Sequence, residues 1–193
     1  MQERPGERVF RAQVESNPAN RTILSRWHRL SLPDAWLVAG CLFQTVWNLR
    51  AGRNPQADIK DYDLFYFDAA DLSEAAEREA QAHAEALFGD LGVTVEVKNQ
   101  ARVHLWYPRH FGEPYPRLHA ACDGIRRFLI LETCVGIRPD ACFAPNGLAG
   151  LHAGTLTPNP LTPYAALFHA KAASYRARWD WLRVSAPQGE TSA

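Results

Sequence analysis

The chain has 193 residues, of which 47% are hydrophobic, so it can bury one sizeable core and is expected to form a single domain. Its 21 lysine and arginine residues balance 21 aspartate and glutamate residues, so no overall positive charge indicates nucleic-acid binding, although a local basic groove remains possible. A polyphosphate partner would therefore be held by individual residues or by metal. No long apolar stretch and no signal-peptide pattern is present, and we expect a cytoplasmic protein that does not enter a membrane.

The first 52 residues predict a lead-in, two helices and one strand. Residues 1–21 mix proline, glycine and charge and are expected to be a loose lead-in to a single domain over residues 22–184, with a frayed tail at 185–193. Apolar residues at helical spacing predict a helix over residues 22–30. Residues 35–39 predict a short strand, and a tight turn at Gly40 then opens a helix that ends at Gly52.

The middle of the chain predicts two strands separated by a helix. Residues 59–67 are rich in aromatic and branched residues typical of a strand, and alternation places Asp61 and Asp63 on one face. A helix follows to about residue 88, with Ser73 as its cap. Residues 93–107 then alternate between apolar and polar side chains, which predicts one long strand whose polar face carries Glu96, Arg102 and His104.

The last third predicts a helix over residues 123–134, a short strand over residues 141–144, a break at residues 158–163 and a final helix over residues 164–182. Together these elements predict an α+β fold: a small mixed sheet of four or five strands, helices mainly on one face, acidic residues on the open face and a C-terminal helical segment.

The aspartate pair is the main candidate for chemistry. Two carboxylates two residues apart on a strand can share one or two Mg²⁺ or Mn²⁺ ions, as nucleotidyl transfer requires. Glu96 is the candidate third acid, with an exposed glutamate paired to Lys98 or Arg102 as the alternative. Arg102 and His104 could bind phosphate or an acceptor, and the helix that begins near Gly40 could bind phosphate at its N-terminus. Each of these residues also has a plain structural interpretation, either in the core or on a solvated face.

Three segments resemble a known family: residues 36–48 (WLVAGCLFQTVWN), 61–68 (DYDLFYFD) and 99–107 (NQARVHLWY). They resemble an uncharacterised bacterial nucleotidyltransferase-like family within the DNA polymerase beta-type nucleotidyltransferase superfamily. The resemblance covers roughly residues 36–182, and it implies the fold and the catalytic arrangement of that superfamily.

By this resemblance, Gly40 and Cys41 match the glycine and small residue that face the triphosphate, Asp61 and Asp63 match the metal-binding pair, and Glu96 matches the third acid. Superfamily members commonly carry serine or glycine where this chain has Cys41, and aspartate where it has Glu96. Gln44 lies near Cys41 on the same helix and could extend a polar wall toward the nucleotide.

The main hypothesis is a metal-dependent transfer of a nucleoside monophosphate from a nucleoside triphosphate to an acceptor on a small molecule, protein or RNA. The alternative is a non-catalytic protein of the same fold that senses nucleotides or binds another protein. An aspartyl-phosphate phosphohydrolase with Asp68 as nucleophile is disfavoured, because Ala70 occupies the position where that chemistry needs an acid.

Overall fold

The computed structural model describes residues 4–185, which form one layer of sheet with helices packed against it. The helices have the following bounds: α1 Pro5–Glu15, α2 Pro18–Ser25, α3 Gly40–Arg50, α4 Glu74–Phe88, α5 Val103–Phe111, α6 Ala121–Ile125, α7 Ala149–Ala153 and α8 Ala165–Arg176. The strands are β1 Trp36–Val38, β2 Asp61–Tyr66, β3 Thr94–Asn99, β4 Gly136–Arg138, β5 Ala141–Phe143, β6 Thr155–Leu156 and β7 Arg183–Val184.

Five of these strands form one mixed sheet in the order β3-β2-β1-β4-β5, and β6 pairs with β7 in a small second sheet. In the main sheet β2 and β3 are parallel and joined through α4, while β1 is antiparallel to both of its neighbours. The predicted fold class, an α+β domain with a small mixed sheet, is confirmed.

The two faces of the sheet differ. Along β2, Tyr62, Leu64 and Tyr66 are buried in the main core, whereas Asp61 and Asp63 are only partly buried on the opposite face. Helices α3 and α4 pack behind the sheet, against β2 and β3 respectively. On the opposite face, called here the open face, α6 packs against β1 and β2, and Asp61, Asp63 and Glu96 remain partly exposed.

Residues 5–25 correct the predicted loose lead-in. Glu7 accepts a hydrogen bond from the backbone N–H of Arg4 at 2.8 Å and so caps α1. Phe10 and Val14, one turn apart, are both fully buried, and α1 packs on α3. Because proline is tolerated in the first turn of a helix, Pro5 does not oppose this structure. The predicted helix over residues 22–30 begins earlier, at Pro18. Of the predicted frayed tail, residues 186–193 lie outside the described residues.

The predicted long strand over residues 93–107 is wrong beyond Asn99. The Asn99 side chain accepts hydrogen bonds from the backbone N–H groups of Ala101 and Asp68, at 3.0 and 3.1 Å. These bonds bend the chain into a 3₁₀ turn over residues 100–102, and α5 follows directly. A side-chain bond to the nearby backbone competes here with strand continuation.

The C-terminal third also contains shorter helices than its sequence pattern predicts. The predicted helix over residues 123–134 is the short α6 and a separate 3₁₀ turn over residues 131–133. Between them, the Asn159 side chain donates to the carbonyl oxygens of Arg126 and Phe128, at 2.7 Å each. These bonds satisfy backbone groups that a continuous helix would have paired internally. The final helix ends at Arg176 and not at residue 182.

None of the helices among residues 4–185 combines the length and the apolar character needed to cross a bilayer.

The burial of α1 can be tested by truncating one side chain. Phe10→Ala removes a ring with no exposed surface, and we expect it to lower the free energy of unfolding by about 3–5 kcal/mol. Val9→Ala, on the same helix at 55% exposure, should change it by less than about 0.5 kcal/mol. Urea unfolding of both variants measures the difference. Equal and small effects would show that α1 does not belong to the core.

Candidate functional site

Three carboxylates meet on the open face of the sheet. Asp61 and Asp63 project from β2, and the parallel register sets Asp63 directly opposite Glu96 on β3. On the other side of β2, Asp63 pairs with Val38, the last residue of β1. Residues opposite each other in a sheet share a face, so the predicted placement of Asp61, Asp63 and Glu96 on one face agrees with the geometry.

Asp63 has a strongly raised pKa. Burial, followed by the negative charges of Asp61 and Glu96, raises it to about 7, while Lys171 and Lys98 act in the opposite direction. A buried carboxylate beside two others is costly to ionise, because desolvation and repulsion both favour its neutral form. The site therefore carries more negative charge than the side chains around it neutralise.

The turn before α3 lies beside these carboxylates. Ala39, and not Gly40, takes the positive φ, at 62° with ψ at −140°, a conformation that costs a non-glycine residue about 1–3 kcal/mol. Gly40 is required for a different reason, since a Cβ there would lie 2.5 Å from Nε2 of Gln44. The Gln44 amide is itself held in place by Arg178, whose Nη1 donates to Oε1 at 2.9 Å.

Cys41 lies in the core and does not face the site. Its side chain is fully buried and its Sγ donates to the Val38 carbonyl oxygen at 3.2 Å. Burial, followed by the charge of Asp63, raises the pKa of the thiol well above its usual range. The thiol therefore stays neutral, and we correct its predicted contact with a triphosphate to a packing role.

A cavity of about 390 Å³ joins the carboxylates to the start of α3. Gly40, Gln44, Asp61 and Asp63 all line it, together with Ala39, Phe43, Phe65, Arg127, Phe128, Leu129, Ile130, Thr133, Lys171 and Tyr175. Four of the predicted site residues thus share one cavity. Glu96 does not line it but pairs with Asp63 on the neighbouring strand.

The cavity also contains two cations that sequence patterns did not reveal. Lys171 comes from α8 and Arg127 from the loop after α6. Each is more than 60 positions from the aspartates in the sequence, and neither belongs to a local motif, so only the folded chain brings them to the site.

Arg102 and His104 are not brought to this cavity. Arg102 is buried, forms an ion pair with Glu77 of α4 and donates from Nε to the Leu72 carbonyl oxygen at 3.2 Å. It therefore ties α4 to the end of β3, which corrects its predicted role as a phosphate clamp. His104 lies on α5, because the chain has already left the strand at Asn99.

The chemistry of the three carboxylates fits a divalent cation. Carboxylate oxygens are the ligands that Mg²⁺ prefers, and a cation would offset the repulsion that raises the pKa of Asp63. As arranged, no group of three or more histidine, cysteine, aspartate or glutamate side chains among residues 4–185 is positioned to hold a metal ion. The assignment of Asp61, Asp63 and Glu96 as metal ligands therefore stays a prediction.

Comparisons with known proteins define the class of this fold and site. A protein-family model described as Nucleotidyltransferase matches residues 25–184. A solved structure described as a CCA-adding enzyme head domain, determined by NMR, superimposes with a TM-score of 0.72 over 93% of this chain and 95% of that one, at 22% identity. At that identity the likeness concerns the fold. A search of curated proteins found no match.

The chain belongs to this nucleotidyltransferase family, since the match covers most of its length. The predicted resemblance to a nucleotidyltransferase family is thereby confirmed.

The perturbed Asp63 predicts a dependence of stability on pH in the metal-free protein. Its folded-state pKa, about 7, lies above the roughly 3.9 of an unfolded aspartate. The unfolded state therefore ionises first, and stability is lost as the pH rises from about 4 to 7. Asp63→Asn removes this loss. In EDTA at pH 8 we expect the free energy of unfolding of Asp63→Asn to exceed that of the parent by on the order of 3 kcal/mol. Near pH 4 the two values should be equal.

Chemical denaturation at several pH values in EDTA measures this effect, with the exposed Asp180→Asn as matched control. A parent and an Asp63→Asn variant with the same pH profile would contradict the burial of the charge.

Proposed function

We propose that this protein transfers a nucleoside monophosphate from a nucleoside triphosphate to an acceptor, with a divalent cation held by Asp61, Asp63 and Glu96. The observation that carries the proposal is the placement of the aspartates beside the N-terminus of α3 within one cavity. Membership of the nucleotidyltransferase family supports it.

The triphosphate is placed at the start of α3. The N-terminus of an 11-residue helix offers unpaired backbone N–H groups and the positive end of the helix dipole, both of which favour an anion. Gln44, one turn further along, supplies an amide that packs beside Gly40. Lys171 and Arg127 line the same cavity and supply the positive charge there, in place of Arg102 and His104.

The bound cation, Mg²⁺ or Mn²⁺, neutralises phosphate charge and stabilises the charge that develops during transfer. The transfer forms a bond between an acceptor oxygen and the α-phosphorus and breaks the bond to the β-phosphate, so that pyrophosphate leaves. A hydroxyl acceptor must also lose its proton. Glu96, opposite Asp63, is placed to hold the cation or to take up that proton.

Nucleotide binding that depends on Mg²⁺ is the direct test. We expect at least one of the four nucleoside triphosphates to bind in Mg²⁺ and to lose at least about tenfold in affinity in EDTA, because the carboxylates otherwise repel the phosphates. Asp63→Ala should lose at least about tenfold in Mg²⁺, since one ligand is gone. Calorimetry with the full chain measures both.

Asp180→Asn removes an exposed carboxylate outside the cavity and should bind as the parent does. Binding that is equally strong in EDTA and in Asp63→Ala would contradict the metal site. If the protein binds nucleotide in a Mg²⁺-dependent way but releases no pyrophosphate with any acceptor tested, the result would favour the non-catalytic alternative.

The role of Glu96 can be separated from that of the aspartates. If Glu96 is the third ligand, Glu96→Gln should raise the Mg²⁺ concentration needed for half-maximal nucleotide binding by several-fold, because one charged oxygen ligand is lost. Glu85→Gln, an exposed change on α4, is the matched control. An unchanged Mg²⁺ requirement would remove Glu96 from the metal site and leave the aspartate pair alone.

A further inference from the structure

A second, smaller cavity of about 200 Å³ adjoins the candidate site. Half of the residues that line it are aromatic: Phe65, Trp106, Tyr107, Tyr115 and Phe128. The Tyr107 and Tyr115 rings pack with their centroids 4.4 Å apart, and the Arg127 guanidinium lies 5.0 Å from the centroid of Tyr115. A wall of this kind is suited to a flat aromatic ligand, since ring faces stack on any planar π-system.

The two cavities meet at three shared residues: Phe65, Arg127 and Phe128. Phe65 is two residues beyond Asp63 on the same face of β2, which is about 7 Å at the usual rise of a strand. The start of α3 lies on the other side of the aspartates, near the end of β1. The start of α3, the carboxylates and the aromatic cavity therefore follow one another in that order. The distance between the carboxylates and the aromatic cavity is about the length of a sugar.

We propose that the aromatic cavity binds the base of the donor nucleoside triphosphate. This inference rests on the proposed function, because it uses the triphosphate position beside α3. Arg127 lines both cavities. Its Nη2 donates to the Leu161 carbonyl oxygen at 3.1 Å, so the guanidinium is held at the junction where the sugar and α-phosphate would lie, and it brings a positive charge there. Lys98 adds a second cation on the same side.

The floor of the cavity is polar. Gln100 is almost fully buried there, and its Nε2 donates to the Lys98 carbonyl oxygen at 3.3 Å. Gly124 packs so closely against it that a Cβ would lie 2.0 Å from Oε1. The Gln100 amide packs against the Gly124 backbone in the cavity lining, where it can form hydrogen bonds with the edge of a base.

The cavity is not a filled part of the core. Trp106 and Tyr107 are only partly buried, and on the same helix Leu105 is 48% exposed. The two rings can therefore be replaced without opening a void in a packed interior, and Leu105 provides a matched control that does not line the cavity.

The test compares two ligands that share the phosphates but differ in the base. Mg²⁺ complexes of the four nucleoside triphosphates and of inorganic tripolyphosphate are titrated into the full chain, into Trp106→Leu and Tyr107→Leu, and into Leu105→Ala. The leucine variants keep apolar volume but lose the ring face. We expect each leucine variant to bind the preferred nucleotide about tenfold more weakly, the loss typical of one stacked base. The affinity for tripolyphosphate should not change. In Leu105→Ala the affinity for both ligands should equal that of the parent.

Nucleotide affinity that is unchanged in both leucine variants overturns the base subsite, as does an equal loss for tripolyphosphate. A parent protein that binds nucleotide no more tightly than tripolyphosphate overturns it as well, while the phosphate site still stands. A parent that binds neither ligand overturns the proposed function together with the subsite.

A second measurement on the unaltered chain covers the case in which the variants do not fold. Photolabelling with a nucleoside triphosphate that carries an azide on its base should modify Phe65 or residues 98–128, which together include the ring wall. A label confined to other segments contradicts the proposal.

Discussion

The burial of one face of β2 determines the site. Tyr62, Leu64 and Tyr66 alternate along the strand and are nearly or fully buried, and the Tyr62 hydroxyl accepts from the Asn17 amide at 3.1 Å within the core. A shift of one residue would expose all three and bury the two aspartates. The same alternation that stabilises the core therefore holds Asp61 and Asp63 on the open face, where parallel pairing adds Glu96.

This arrangement lowers the stability of the folded state at the proposed functional site. Asp63 is desolvated next to two like charges, and Ala39 holds an unfavourable backbone conformation at the adjacent turn. Both features lie beside the start of α3, Ala39 through the chain and Asp63 through its pairing with Val38. Strain and poorly compensated charge tend to persist where the surrounding fold fixes them and a ligand relieves them. A cation and a triphosphate, with their opposite charges, would relieve the electrostatic part.

The strand and helix around the aspartates were predictable because short-range patterns decide them. Strict alternation specifies β2 up to Tyr66, and the Ser73 hydroxyl caps α4 as predicted, accepting from the Ala76 N–H at 3.1 Å. Alternation misled beyond Asn99, since polar residues at even positions continue through a 3₁₀ turn and into α5. At Asn99 the side chain accepts a hydrogen bond from the backbone of Asp68, 31 residues away. The periodicity of the sequence carries no information about such a contact.

The cavity wall could not be predicted either, because it depends on contacts between residues far apart in the sequence. Gly136 shows how such contacts form it. On the open face β1 presents Trp36 and Val38, which pack with Ala121 and Ile125 of α6. Opposite Val38 on β4 lies Gly136, where a Cβ would come within 2.7 Å of the Ile125 Cδ1. The bare backbone of β4 thus lets α6 lie close to the sheet.

The closeness of α6 in turn places the segment after it. Residues 126–130 follow α6 directly, and Arg127 and Phe128 line the cavity that contains the aspartates. A side chain at position 136 would displace the tip of the Ile125 side chain, which packs α6 on the sheet. Gly136 therefore lies outside the cavity and supports its wall through the packing of one short helix.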